Sequence, residues 1–211
     1  MNASETQIKT DFSQLASEDQ IKRTMAALES SNIQVFLAEN GAEAKKKLFD
    51  LLPENAEVFI SSSTTMIQLG VPEVVNDSGR YNSVRVRLAT MDPKTQGREM
   101  QKLGATPEFI LGSVHAVTED GHMIIASQSG SQLSGYAAAA AHVIWIVGTQ
   151  KIVADLATGM KRVEEYSLPL ESARAMKVYG VPSSINKLLI VYREAKPGRT
   201  SMILVKENLG F

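Results

Sequence analysis

Apolar residues along the chain alternate between helical spacing and short continuous runs, a pattern that predicts helices interleaved with strands. Ile21, Met25 and Leu28 recur at helical spacing behind Ser17 and Gln20, which have the residue types and spacing of a capping box. Short apolar runs instead predict buried strands. Strand patterns occupy residues 33–37, 56–60, 83–88, 108–111, 114–117, 142–148, 188–192 and 202–205, and helical patterns occupy 17–31, 40–51, 66–69, 91–103, 153–166 and 170–179.

This order of elements predicts an α/β fold with a mostly parallel, twisted sheet flanked by helices. We expect residues 1–32 to form an N-terminal helical extension and residues 33–211 to form a single α/β domain. Between the last two apolar runs stand Pro197, Gly198 and Arg199, residues typical of a turn. They predict a C-terminal antiparallel hairpin.

Composition and charge exclude several classes of protein. The chain has 211 residues, of which 44% are hydrophobic and 21% charged, as expected of a globular protein with one substantial core. Its 22 basic and 23 acidic side chains give a net charge of -1, which argues against a nucleic-acid partner. Residues 1–9 lack the features of a signal peptide, and no apolar run approaches the ~20 residues of a membrane span. We therefore expect a cytoplasmic protein.

Five consecutive hydroxyl residues follow the strand predicted at 56–60. In open α/β sheets, ligands bind where loops leave the carboxyl ends of the strands. Side-chain hydroxyls and free backbone N–H groups there could cradle a phosphate or a carboxylate. The alternative is a helix cap, although one Ser or Thr would suffice for that role. The residues predicted to bind the ligand here are Ser61, Ser62, Ser63, Thr64 and Thr65.

A second candidate loop, residues 129–132, lies between an apolar run and an alanine-rich segment. Ser129, Gly130, Ser131 and Gln132 are predicted to open a helix and to offer donors to the same anion. The alternative again is that the serines only cap the helix. We expect this loop and residues 61–65 to meet in one cleft at the carboxyl edge of the sheet.

The candidate acid–base residues are Glu119, Asp120 and His115. Asp120 precedes Gly121, a pair typical of a tight turn, which leaves Glu119 as the free carboxylate. We expect partial burial beside Asp120 to raise the pKa of Glu119, and a hydrogen bond from His115 to orient it. The alternative is that this segment is only a hairpin turn. The chain has no cysteine, and its three histidines lack the spacing of metal ligands, so no metal and no cofactor are predicted.

Several segments of the chain together form a pattern that is typical of a known family. They are residues 116–121, 129–132, 143–148 and 150–156, Arg162, Pro169, Leu170, 197–199 and 209–211. These segments resemble the LUD-domain family, which is the lactate-utilisation family. The resemblance implies a fold like that of ribose-5-phosphate isomerase, glucosamine-phosphate deaminase and the CoA transferases. It also implies a cytoplasmic role in L-lactate oxidation or related carbon metabolism.

The departures from this family pattern bear on function. Some members carry a cysteine-rich insertion, whereas residues 178–186 fill that place here without cysteine, so any iron–sulfur cluster would belong to partner subunits. Gln132 stands where many relatives have a basic residue, and His115 stands where they have Asn.

Two classes of function stay open. The first is a lactate-utilisation protein that binds a small anionic metabolite, a carboxylate or a phosphate, as a subunit of an L-lactate oxidation system. The second is a stand-alone enzyme of isomerase or CoA-transferase-like type. The run of alanines at 137–141 permits close packing against the sheet or against a second subunit, so a homo-oligomer also stays open.

Overall fold

The computed structural model describes residues 12–211, which form an α/β fold with two sheets. Its strands are β1 (Gln34–Ala38), β2 (Glu57–Ile60), β3 (Asn82–Ser83), β4 (Phe109–Gly112), β5 (Ala116–Thr118), β6 (Met123–Ser127), β7 (His142–Gly148), β8 (Ile152–Val153), β9 (Lys187–Val191) and β10 (Thr200–Val205). Its α-helices are α1 (Glu18–Ser30), α2 (Gly41–Asp50), α3 (Thr64–Gln68), α4 (Val71–Asp77), α5 (Val84–Ala89), α6 (Pro93–Ala105), α7 (Leu156–Arg162) and α8 (Leu168–Tyr179).

The larger sheet is parallel throughout and has the order β1-β10-β7-β4-β2-β3. Its central strands are buried on both faces, which explains why they read as continuous apolar runs. Along β7, Val143, Trp145 and Val147 join one core cluster while Ile144 and Ile146 join the other. The sheet therefore separates two apolar layers, as the predicted α/β class requires.

The smaller sheet is mixed, with the order β8-β5-β6-β9. β5 pairs in parallel with β8, and β6 pairs antiparallel with both β5 and β9. α1, predicted within an N-terminal extension, places Ile21 and Leu28 in the core cluster that contains Trp145. Ser17 and Gln20 form the predicted capping box. Residues 1–11 of that predicted extension lie outside the described residues.

The predicted C-terminal antiparallel hairpin is wrong, because its two strands belong to different sheets. β9 pairs with β6, whereas β10 lies between β1 and β7 in the parallel sheet. All six residues of β10 are buried, so this strand requires neighbours and helices on both sides. The turn residues were identified correctly, but local turn chemistry cannot specify which sheet each flanking strand joins.

The strand predicted at residues 83–88 is also wrong. Only Asn82 and Ser83 pair in the sheet, and the Ser83 side chain then accepts a hydrogen bond from Val86 N and caps α5. The alternating valines and arginines matched a strand period, but the cap and the neighbouring α6 favour a helix. Within residues 12–211, no helix is long and apolar enough to cross a membrane.

A buried ion pair fastens the start of β10 to a π-helical segment, Gly135–Ala139. The Arg199 guanidinium lies 2.6 Å from the Glu194 carboxylate and also donates to the carbonyl oxygens of Gly135, Tyr136 and Ala140. Thr200 donates a further hydrogen bond to Glu194. Because both charges are almost fully buried, removing either one would leave the other without compensation.

We therefore expect Arg199→Met to lower the free energy of unfolding by about 3–5 kcal/mol. The exposed Arg98 hydrogen-bonds Gln101, so Arg98→Met is the matched control, with an expected change within about 0.5 kcal/mol. Urea denaturation of the three proteins measures both values. Equal stability of the two variants would contradict a stabilising role for the buried Arg199–Glu194 pair.

Candidate functional site

A cavity of about 540 Å³ opens at the carboxyl ends of β2, β4 and β7. These strands are neighbours in the parallel sheet, so the loops that leave them meet at one edge. Residues after β2, residues after β4 and Lys151 after β7 line one side. Residues after β6, α8 and segment 183–185 line the other side.

Both hydroxyl-rich loops of the sequence prediction line this cavity. All of residues 61–65 line it, and so do Ser129, Ser131 and Gln132, whereas Gly130 is not among its lining residues. Gly130 has a φ of +84°, and a Cβ there would lie 2.6 Å from the Lys187 side chain. Ser127, rather than residues 129–132, accepts the hydrogen bond from Gly130 N. The two loops thus share a cleft, while ligand binding by them stays a prediction.

The five hydroxyls of residues 61–65 divide into structural and accessible groups. Ser61 and Thr65 are buried, and they donate to the carbonyl oxygens of Leu111 and Leu209. Ser63 caps α3 by accepting from Met66 N. Ser62 and Thr64 are not buried, so they can turn toward a ligand. Within these five residues, Ser63 therefore caps the helix, while Ser62 and Thr64 are the ones free to contact a ligand.

Gly112, at the end of β4, makes room for a hydrogen bond between Ser61 Oγ and Tyr136 Oη, which are 2.7 Å apart. A Cβ at Gly112 would lie 1.8 Å from Tyr136 Oη and 2.2 Å from Ser61 Oγ. Burial, opposed by the hydrogen bonds that Tyr136 makes, raises the pKa of Tyr136 to about 12. Tyr136 therefore stays a neutral hydroxyl in the cavity wall.

Lys151 is a cavity residue that the sequence patterns did not single out. It ends a 3₁₀ turn, Thr149–Lys151, directly after β7, and it is 2% exposed. Its Nζ lies 3.1 Å from Thr65 Oγ1 and 3.1 Å from Ser113 Oγ. Burial, and then the charge of Arg162, hold the pKa of Lys151 well below its ordinary value. The signal available in the sequence was its position just beyond a buried strand.

Arg85 is the second residue that was missed, because its segment was predicted as a strand. As the structure has it, α5 carries Arg85 to the cavity wall. Its Nε donates to the Ile60 carbonyl, its Nη2 lies 3.1 Å from Ser62 Oγ, and its guanidinium covers the Phe59 ring. The ion pairs formed by residues 12–211 include neither Arg85 nor Lys151.

His115 lines the cavity, but its hydrogen bond differs from the one predicted. Its Nδ1 accepts from Ala126 N at 3.2 Å, so that atom is not available to orient Glu119. Burial first, and then the positive charges of Lys151 and Arg162, lower the pKa of His115 to about 3. The imidazole is therefore neutral, with its proton on Nε2.

Glu119 and Asp120 are not among the residues that line the cavity. Glu119 accepts from Gln20 at 2.9 Å and pairs with Arg23 at 2.6 Å, which ties the turn to α1. The expected rise in the pKa of Glu119 is wrong: the hydrogen bonds from Gln20 and Arg23 lower it. Asp120 accepts from Thr118 and lies 3.2 Å from His122 Nδ1. Gly121, with a φ of +87°, makes the predicted turn.

A fully buried arginine supports the cavity from behind. Arg162 donates to the carbonyl of His115 and to Ser167 Oγ, while its Nε and Nη2 have no hydrogen-bond partner among residues 12–211. Burial lowers its pKa to about 10. A π-helical segment, Val163–Ser167, joins α7 to α8 here, and Val163 and Ser167 line the cavity. Such π-helical turns are frequent at functional sites.

Fold and cavity together define an α/β protein with a hydroxyl-lined pocket at the carboxyl edge of a parallel sheet. The chain belongs to the LUD-domain family, because the model of the LUD domain matches residues 21–205. The fold is similar to that in the crystal structure of a DUF162 family protein from Deinococcus radiodurans, with a TM-score of 0.56 and 12% sequence identity. The alignment covers 91% of this chain and 99% of that one. No curated protein matches the chain.

These comparisons confirm the resemblance and the fold class that were predicted from the sequence. They do not assign a function to any individual residue, since at 12% identity the structural likeness shows the fold alone. Among residues 12–211, no group of three or more His, Cys, Asp or Glu side chains is arranged to hold a metal ion.

We expect Gly112→Ala to destabilise the protein by about 1–3 kcal/mol, because the new methyl group displaces the Ser61–Tyr136 pair. Gly104 in α6 is the matched control. Its Cβ would meet Leu88 at an ordinary 4.0 Å, so Gly104→Ala should be neutral or stabilise by up to about 1 kcal/mol. Thermal and urea unfolding check both changes. A Gly112→Ala protein as stable as wild type would show that the pair is dispensable.

The pKa of His115 predicts a specific pH dependence of stability. Between pH 6.5 and about pH 4 the unfolded chain binds a proton at this histidine that the folded chain does not bind, so stability falls as pH falls. The loss attributable to His115 is roughly 3 kcal/mol over that window. His115→Asn removes the titrating group. Denaturation at a series of pH values should show a shallower acid slope for the variant, and parallel slopes would refute the buried neutral imidazole.

Proposed function

We propose that the cavity binds the carboxylate or phosphate group of a small metabolite, and that the chain acts in this way in lactate utilisation. The observation that carries the proposal is the Arg85 guanidinium, which lines a hydroxyl-rich cavity without an ion-pair partner among the described residues. A cation in this setting gains most from an anionic ligand. Membership of the LUD-domain family supports the metabolic context.

The charges around the cavity favour an anion over a cation. Glu171 also lines the wall, but its two oxygens are taken by Arg174, at 2.6 and 2.7 Å. Within residues 12–211, neither Arg85 nor Lys151 has such a carboxylate partner. Burial lowers the pKa of Arg85, yet a guanidinium starts from so high a value that it stays charged. The positive charge at the wall is thus Arg85.

The hydroxyls complete the recognition of an anion. Ser62 and Thr64 on one wall and Ser129 and Ser131 on the other supply O–H donors that rotate to suit the ligand. The side-chain oxygen of Gln132 accepts hydrogen bonds from Ser127 and Ser131, so the group that Gln132 can offer to the anion is its Nε2 donor. A planar guanidinium pairs with a carboxylate or phosphate in a bidentate manner, which suits both ligand classes.

The alternative of a stand-alone enzyme of isomerase or CoA-transferase-like type needs an acid, a base or a nucleophile on the cavity wall. Glu119 instead contacts Arg23 and Gln20 and is not among the residues that line the cavity. Lys151, which lines the cavity, is the candidate for such a base or nucleophile. Since the chain has no cysteine, we propose that any iron–sulfur centre used in lactate oxidation belongs to partner subunits.

We expect Arg85→Gln to weaken binding of the ligand roughly 10- to 100-fold, the value of one charge-assisted hydrogen-bonding group. The probes are L-lactate, pyruvate and inorganic phosphate, measured by isothermal titration calorimetry. Arg87→Gln is the matched control, because Arg87 lies on the same helix but pairs with Glu57.

The control should bind the probes as wild type does. Binding that is equally strong in both variants would remove Arg85 from the site. If the wild-type protein binds none of the three probes at millimolar concentration, the proposal of a small carboxylate or phosphate ligand falls.

A further inference from the structure

The amino group of Lys151 has hydrogen-bond partners that match a neutral amine. Thr65 Oγ1 donates its own proton to the Leu209 carbonyl at 3.2 Å, so this oxygen accepts from Lys151. Ser113 Oγ likewise donates to the Val114 carbonyl at 3.4 Å and accepts from Lys151. Two N–H groups satisfy both acceptors. The remaining tetrahedral position of the nitrogen is then its lone pair.

An ammonium group at this place would be poorly matched. It carries three N–H donors and a full charge, whereas both neighbours are neutral hydroxyls. The tail of the chain closes one side, since a Cβ at Gly210 would lie 3.3 Å from Lys151 Nζ and 2.4 Å from Thr65 Oγ1. The charge of Arg162 is also positive, so it opposes protonation of the amine.

From this geometry we propose that Lys151 is a nucleophile that forms an imine with the carbonyl group of a small carbonyl acid bound in the cavity. The inference rests on the proposed function, because Arg85 and the hydroxyls hold the acid group of the same ligand. It narrows the ligand class to molecules that carry both a carbonyl and an anionic group, such as 2-oxo acids. Burial lowers the pKa of this amine, which favours the form whose lone pair is free.

The chemical step is balanced within the two reactants. The Nζ lone pair attacks the carbonyl carbon while the C=O π electrons move to oxygen, and the proton lost by nitrogen neutralises that oxygen to give a carbinolamine. Nitrogen then loses its second proton as the hydroxyl group leaves with a proton as water. The products are one imine and one water. Hydrolysis by the reverse path releases the carbonyl compound.

Reductive trapping tests the proposal with the intact chain. The protein is incubated with pyruvate and sodium cyanoborohydride at neutral pH, and the adduct is located by intact mass and peptide mapping. We expect one stable adduct, on Lys151, formed roughly tenfold or more faster than on any exposed lysine. L-lactate has a hydroxyl group in place of the ketone of pyruvate, so it should slow the trapping by competition and form no adduct itself.

The matched variants are Lys151→Arg, which should lose the adduct, and Lys187→Arg, which should keep it. Lys187 donates to the Ser129 carbonyl and so lies next to a loop that lines the cavity, but unlike Lys151 it is exposed. Mapping of the wild-type adduct keeps the test decisive if Lys151→Arg does not fold.

Calorimetry with pyruvate separates this inference from the proposed function. Pyruvate binding without an adduct, or with adducts spread over exposed lysines, overturns the imine and leaves the anion site standing. If pyruvate neither binds nor forms an adduct, both the imine and the anion site are overturned. An adduct on Lys151 whose rate is unchanged in Arg85→Gln supports the nucleophile and refutes Arg85 as the anchor of the acid group.

Discussion

The parallel register of β2, β4 and β7 is the constraint on which the cavity depends. Ile60 pairs with Leu111, and Leu111 pairs with Ile144, so the three strands run side by side; β2 and β4 end next to each other, and β7 continues to Gly148. Their following loops therefore deliver the residues 61–65, Ser113 and Lys151 to one place. A shift of one residue in any of these strands would turn its buried side chains to the opposite layer, so the two cores enforce the register.

Around this edge the protein concentrates basic side chains and keeps them from water. Arg162 is fully buried, Lys151 is nearly so, and both lower the pKa of His115. Desolvation of this kind costs stability that the apolar layers must offset, and it is typical of functional sites. Neutral hydroxyls, rather than carboxylates, are the partners of Lys151. This arrangement leaves Arg85 without a carboxylate partner among residues 12–211, which is the basis of the proposed anion site.

Two π-helical segments shape the walls. Gly135–Ala139 carries Tyr136 to Ser61, and it is held by the buried Arg199 and Glu194 pair at the start of β10. Val163–Ser167 places Ser167 against Arg162 and the cavity. Glycine is required at Gly112, because a Cβ there would collide with Tyr136 Oη and Ser61 Oγ. Stability of the central sheet and shape of the cavity are thus coupled through a few buried polar contacts.

The sequence by itself determined the class of fold and the two hydroxyl-rich loops. Continuous apolar runs indicate buried strands, and runs of Ser and Thr indicate the loops that follow them. It also identified the Ser17 cap and the turn at Gly121, since both depend on neighbouring residues. Only the tertiary structure decided that β9 and β10 join different sheets, that α5 is a helix carrying Arg85, and that Lys151 is a cavity residue. Those outcomes depend on contacts between distant segments. Glu119 shows the same limit, because its partner Arg23 lies far away along the chain and pairs with the carboxylate that local reasoning left free.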